Sequence, residues 1–205
     1  MIDVYDNVLD LHEFKSLNES LQTVPWHWSS YSNKNFPTKH WVARCGSSDE
    51  ELTRKGYGWI LPVWYRVFED NNFKEKYGIS HYSRIYMNGH TFGMQPHWHK
   101  DDGDFTMIYY PNINWKLEWC GGTFIYDEEE DLTRPPEEGS WHGHLPKAVD
   151  RYIEYIPNRL VAFSAHKWHQ ADAVNRECYD LRSIIVFKCL SESGGVPERL
   201  DFYNV

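Results

Sequence analysis

The segment His99-Lys100-Asp101-Asp102-Gly103-Asp104-Phe105-Thr106-Met107-Ile108-Tyr109-Tyr110-Pro111-Asn112 decides how this chain of 205 residues is read. Its second half, Phe105 to Tyr110, is rich in the aromatic and β-branched side chains that pack on a pleated surface. Gly103 and the aspartates bound it on one side, Pro111 and Asn112 on the other, and such residues favour turns over ladders. A strand is expected there. Four more runs of the same character stand at Tyr82–Met87, Gly122–Tyr126, Arg159–Phe163 and Leu181–Lys188, separated by Gly, Pro, Asn and Asp.

The chain before Tyr77-Gly78 reads differently. Leu11, Phe14, Leu17 and Leu21 recur at spacings of three and four, which predicts a packing helix with one apolar face running to about Val24. Ser48-Asp49-Glu50-Glu51 matches the capping box, in which a hydroxyl and a carboxylate satisfy the free amides of a helix start. Pro62, tolerated only in a first turn, restarts or kinks the helix that begins there. Residues 26–46 are irregular and read as loop and short strand. Helices first and many short strands later argue against an alternating α/β fold and for a mainly β fold, a β-sandwich or jelly roll with N-terminal packing helices. The whole is expected to be a single domain: a helical preface over 1–80, a β core over 82–190, and an insertion over 127–155 too long for a hairpin.

Composition sets limits on function. A net charge of -9 with no basic run argues against a broad nucleic-acid surface, because neutralising phosphates needs clustered Lys and Arg. The acidic run Asp127-Glu128-Glu129-Glu130-Asp131, with Glu137 and Glu138 after it, reads as solvated chain. Trp141-His142-Gly143-His144 sits in the same insertion; its two histidines read as solvent-facing, and the segment as a flap over a pocket. Cys45, Cys120, Cys178 and Cys189 form no CxxC pair and read as reduced thiols of a cytoplasmic protein. Neither a signal sequence nor a membrane span is indicated.

The chemistry points to Pro96–Asp104. In an extended chain alternate side chains share a side, so His99 and Asp101 lie together roughly 6.6 Å apart along the strand and can converge on one ion. An imidazole and a carboxylate are two-thirds of the two-His-one-carboxylate triad, which caps one face of an octahedral iron and leaves the other open. The third ligand must come from elsewhere, and Ala165-His166-Lys167-Trp168-His169-Gln170-Ala171 offers His166 and His169. Taken alone, a His-x-Asp arises readily by chance among eleven His and thirty acidic residues.

From His99 onward the sequence resembles the prolyl 4-hydroxylase-like branch of the 2-oxoglutarate/Fe(II) dioxygenases. The resemblance rests on His99-Lys100-Asp101-Asp102, Phe105 to Asn112 with Trp115, Gly121-Gly122-Thr123-Phe124-Ile125-Tyr126, Asn158 to Phe163, Trp168-His169 and Arg182 to Phe187, in family order. It implies a double-stranded β-helix with Fe(II) in its mouth, His99 and Asp101 as the proximal ligands and His169, rather than His166, as the distal one. It implies 2-oxoglutarate and O2 as co-substrates, and an arginine on the strand after the distal His to bind the far carboxylate through two parallel hydrogen bonds. Arg182 is the candidate, with Lys188 on the same face as fallback; family spacing would place Leu181 at that position, so a one-residue shift or bulge is required. Tyr110 matches a tyrosine that hydrogen-bonds the same carboxylate. The reaction implied is hydroxylation of an unactivated C–H bond in a small-molecule or peptidyl substrate, with release of succinate and CO2. Asp101 favours this over halogenation, whose enzymes lack that carboxylate. A jelly-roll binding module and a cupin-like metal enzyme without keto acid are the alternatives.

Overall fold

The structure, a computed structural model, describes residues 2–30, 38–70, 73–126 and 151–192. The acidic run, His142, His144 and the expected flap lie outside them. The described elements are, in order, β1 (Ile2–Tyr5), α1 (Leu11–Leu21), β2 (His27–Ser30), β3 (His40–Gly46), α2 (Asp49–Arg54), α3 (Leu61–Asp70), α4 (Phe73–Tyr77), β4 (Ile79–His90) and β5 (Phe105–Tyr110). They continue with β6 (Thr123–Ile125), β7 (Arg151–Ile153), β8 (Arg159–Ser164), β9 (His169–Ala171) and β10 (Arg182–Ser191). Seven strands form one antiparallel sheet in the order β1-β8-β5-β10-β4-β3-β2, and β7-β6-β9 form a second, smaller one. The expected mainly β jelly-roll core with N-terminal helices is what forms.

Central strand β10 shows why the layers stack as they do. Alternation sends Ile185, Phe187 and Cys189 into an apolar cluster with α1, α2 and α3, through Phe14, Leu17, Leu52, Val63 and Val67. Ile184 and Val186 point the other way, joining Ile108, Val161 and Phe163 of the large sheet and Ile125 of the small one. Each such side chain contributes about 1.5–3 kcal/mol on full burial. Arg182 and Lys188 share the parity of Ile184 and Val186, so two cations are carried into the space between the sheets, where both are buried. Register between β10 and β4 is regular from Arg182 to Lys188, and the irregularities fall beyond Lys188.

Several expectations need correction. Leu11 is 64% exposed; at about 100° per residue it lies roughly 90° round from the mean direction of Phe14, Leu17 and Leu21. The capping box at Ser48 is half formed: Ser48 Oγ accepts from Glu51 N at 3.2 Å, but the Glu51 carboxylate reaches Ser47 N and Oγ at 2.8 Å instead. The reciprocal box closes at Asp10 and Glu13 instead, starting α1. Residues 1–80 are not only helical, since β1 pairs with β8 and β3 with β4 inside the large sheet. Residues 151–153, assigned to the insertion, are β7 and pair with β6. Pro62 stands in the first turn of α3, as its missing N–H allows.

Candidate metal and keto-acid site

His99 and His169 face each other across an isolated bridge, each amide donating to the other's carbonyl at 3.0 Å. Asp101 N donates to Ala165 O at 2.9 Å, so the segment before β5 is laid along the segment before β9. One ligand atom from each of His99, Asp101 and His169 lies within 4.8 Å of the other two. His169 Nε2 is 3.2 Å from Asp101 Oδ2, and His99 Nε2 is 3.7 Å from Asp101 Oδ1.

Both imidazoles are oriented from behind. His99 Nδ1 is 2.9 Å from the carbonyl oxygen of His97, and His169 Nδ1 is 3.0 Å from that of Lys167. A carbonyl only accepts, so Nδ1 carries the proton and each Nε2 lone pair is turned toward Asp101, the arrangement a metal ligand needs. Desolvation, then His169 close by, depress the His99 imidazole to about 3, which keeps its lone pair free. Burial would push the Asp101 carboxyl up, but Lys188 and His169 beside it hold it well below the ordinary range. Lys188 ion-pairs with Asp101 Oδ2, which also accepts from Thr106 Oγ1 at 2.7 Å. Two imidazole nitrogens and one ionised carboxylate in this arrangement fit the donor set of a facial triad, and so fit iron.

Deeper between the sheets lies Arg182, 0% exposed. Its Nε donates to Gly121 O and one terminal nitrogen to Gly122 O at 3.1 Å, whereas Nη1 has no partner among the described residues. The backbone on either side of Arg182 is pinned by Asn112, whose Nδ2 donates to Leu181 O and whose Oδ1 accepts from Ser183 N, both at 2.9 Å. Tyr155 Oη closes the set, 2.5 Å from Asn112 Oδ1 and 2.7 Å from Ser183 O. Gly121 is required for a physical reason: φ is +80° and a Cβ there would stand 3.0 Å from both Arg182 Cδ and Trp115 Cζ2.

Of the residues expected from sequence, His99, Asp101 and His169 come together. His166 is exposed and outside the cluster; its amide lies 3.4 Å from Ser164 Oγ. His97 contributes its carbonyl, while its Nε2 lies 3.1 Å from Thr38 Oγ1. Tyr110 is buried beside Arg182, stacked on Tyr155, with its hydroxyl 2.8 Å from Thr123 Oγ1. Lys188, the fallback for the far carboxylate, is engaged by Asp101. Sequence reasoning missed the pinning roles of Asn112 and Tyr155; Asn112 belongs to the quoted motif, but nothing in the sequence ties Tyr155 to β10.

No family model matches the chain, and no curated protein resembles it in sequence. Solved structures do resemble it in shape. A prolyl hydroxylase from Trichoplax adhaerens, in complex with a peptide fragment of the hypoxia inducible factor oxygen degradation domain, aligns over 93% of this chain and 84% of its own, with TM-score 0.57 and 15% identity. A prolyl-4-hydroxylase from Pseudomonas putida covers 93% and 92%, with TM-score 0.58 and 11% identity. HygX from Streptomyces hygroscopicus, with nickel, 2-oxoglutarate and hygromycin B bound, covers 94% and 83%, with TM-score 0.62 and 9% identity. The fold is that of the 2-oxoglutarate/Fe(II) oxygenases. At these identities the likeness concerns the fold; the chemistry must be argued from the residues.

Proposed function

We propose that this protein is an Fe(II)- and 2-oxoglutarate-dependent oxygenase that hydroxylates an unactivated C–H bond. The observation that carries the reading is the pairing of the cluster His99, Asp101 and His169 with a buried guanidinium, Arg182, that has an unused donor on the inner face of β10. Among the described residues Arg182 makes no ion pair and Asp172 acts on it only from a distance, and a buried cation in that state is costly unless a ligand supplies the counter-charge.

His99 Nε2, His169 Nε2 and an Asp101 oxygen would hold the iron, leaving the opposite face open. When bound, the iron together with 2-oxoglutarate and dioxygen supplies the oxidising power for hydroxylation, with succinate and CO2 as co-products. The carbonyls of His97 and Lys167 hold both imidazoles in the ligating tautomer. Lys188 and Thr106 fix the Asp101 carboxylate, and Arg182 with Tyr110 receives the far carboxylate of the keto acid. Ile184, Val186 and Phe163 exclude water between the two ends. Residues 1–205 would act as a single catalytic domain.

The substrate would be a peptide or a small molecule, and a peptidyl proline is the finer reading. It is supported by the likeness in shape to the Trichoplax enzyme, which was solved with a peptide. Among the described residues no helix is long and apolar enough to cross a membrane. The reading is tested by succinate release from 2-oxoglutarate in air with and without Fe(II), across proline peptides and metabolites. Iron-dependent release that a substrate accelerates is expected. No release with any metal or substrate, from folded protein, would overturn it.

A further inference from the structure

Among the described residues, five buried side-chain polar atoms have no hydrogen-bond partner: His40 Nε2, Tyr77 Oη, Asn88 Oδ1, His90 Nδ1 and Arg182 Nη1. Four of the five belong to one place. Arg182 and His90 are directly opposed on β10 and β4, and Ile184 opposes Asn88 on the same pair. Directly opposed residues and those two along share a face, so Arg182, His90 and Asn88 all project between the sheets. His40, from neighbouring β3, meets His90 edge to face at 5.3 Å between ring centroids. His40 and His90 are 5% and 7% exposed.

Buried polar atoms in folded proteins are almost always paired, so unpaired ones gathered in one place need a common explanation. Asn88 is near enough to His40 to favour a proton on its ring, but no hydrogen bond closes between them, which leaves all four atoms open. Apolar filling does not supply it, because each unmet donor or acceptor costs about 1–3 kcal/mol. A polar ligand does. The group that meets Arg182 must accept, since a guanidinium offers only donors, and each neutral imidazole can turn its one N–H to the same acceptor. Desolvation holds His40 down at about 4 and His90 well below its ordinary range, so both rings are uncharged. Arg182 is then the single cation of the cluster, which matches one carboxylate rather than a phosphate dianion. Asn88 can present its amide N–H with the terminal group turned about, an orientation that placement alone does not fix. The charge on Arg182 acts on both rings, and His99 acts on His90. His90 is therefore within electrostatic reach of both the arginine and the metal triad.

We infer that the His40–His90 pair on β3 and β4 is a second wall of the co-substrate pocket, donating through His40 Nε2–H and His90 Nδ1–H to the terminal carboxylate that Arg182 holds. This rests on the oxygenase reading above. It gives the N-terminal part of the chain a direct role in selecting a keto diacid over a keto monoacid. The tautomers also follow, with His90 protonated on Nδ1 and His40 on Nε2.

The test is calorimetric binding of 2-oxoglutarate, and of 2-oxovalerate as a probe lacking the far carboxylate, to Ni(II)-loaded protein. Each histidine is replaced once by an apolar residue and once by the amide that keeps its proposed donor: His90→Leu and His90→Asn, His40→Leu and His40→Gln. The Leu variants should weaken 2-oxoglutarate binding by about ten- to a hundredfold. The amide variants should recover most of that loss, and 2-oxovalerate should bind all forms alike. Binding of Ni(II) itself should not change. Equal losses for both keto acids, or no loss for either, would overturn the inference while leaving the oxygenase reading standing. If the Leu variants do not fold, the amide pair decides: His90→Gln and His40→Asn move the donor by one bond and should bind 2-oxoglutarate less well than His90→Asn and His40→Gln, whereas equal affinities overturn the inference. If wild-type Ni(II) protein does not bind 2-oxoglutarate, the oxygenase reading falls and this inference with it.

Discussion

Replacing Arg182 by Met separates the energetics of the fold from those of the ligand. In the ligand-free protein the guanidinium makes two hydrogen bonds to the carbonyls of Gly121 and Gly122 and carries a fully buried charge, which desolvation penalises. Losing two charge-assisted bonds costs about 1.5–3 kcal/mol each. Removing a buried cation that Asp172 compensates only in part returns several kcal/mol. The two nearly cancel, so the apo Tm of Arg182→Met should move by only a few degrees. The ligand term does not cancel. At 2-oxoglutarate a hundredfold above its Kd, the Ni(II)-loaded wild type should gain about 2.7 kcal/mol, a rise of roughly 5–11 °C for a chain of this size. Loss of one charged partner weakens binding by about ten- to a hundredfold, which leaves a gain of about 0.4–1.4 kcal/mol at the same concentration. Melting curves of both proteins, apo, with Ni(II), and with Ni(II) and 2-oxoglutarate, measure each term. An equal 2-oxoglutarate-dependent rise in the two proteins would refute the role of Arg182.

Gly121→Ala should lower Tm by about 2–8 °C, since an L residue at φ +80° costs about 1–2 kcal/mol; it should also weaken 2-oxoglutarate by displacing Arg182 Cδ, and unchanged affinity would show that Arg182 tolerates the shift. His169→Ala should abolish stoichiometric Fe(II) binding while His166→Ala retains it, as read by equilibrium dialysis, and the reverse result would exchange the two histidines. Acid should destabilise the apo protein through His40, which faces His90 and Arg182. Its folded pKa of about 4 lies below the ordinary 6.5, so the unfolded chain takes up the proton first. Stability is lost as pH falls from about 6.5 to about 4, by about 3 kcal/mol for this one group, and not further below. Urea unfolding of wild type and His40→Gln across that range checks it, the variant showing the smaller loss.

Strands such as Phe105–Tyr110 were legible because their whole composition is that of a buried strand, and β5 begins and ends where composition changes. Strand β4 extends from Ile79 to His90, beyond the expected Tyr82–Met87, because its inner face is polar: Arg84, Asn88 and His90 look like loop in a composition reading. Asn88 and His90 are residues on which the inferred wall of the co-substrate pocket rests, so what hid the end of the strand is what would make it useful. Strand β1, four residues with Asp3 among them, has too little periodicity to show itself and exists through pairing with β8. The proximal pair was legible from local spacing. His169 could be preferred to His166 only by resemblance, since the bridge that brings His169 against His99 is a contact between segments 70 residues apart. The parity of Arg182 was hidden for a similar reason: it is fixed by Asn112 and Tyr155, distant in sequence and recognisable only once the sheets are packed.

The central claim, that His99, Asp101 and His169 hold an iron to which 2-oxoglutarate chelates, is tested most directly by anaerobic titration of the Fe(II)-loaded protein with 2-oxoglutarate. Bidentate chelation should produce a weak visible charge-transfer band that saturates at one equivalent in the wild type and is absent in Asp101→Ala and His169→Ala. Iron that binds without any such band, or a band of undiminished strength in Asp101→Ala, would contradict the account.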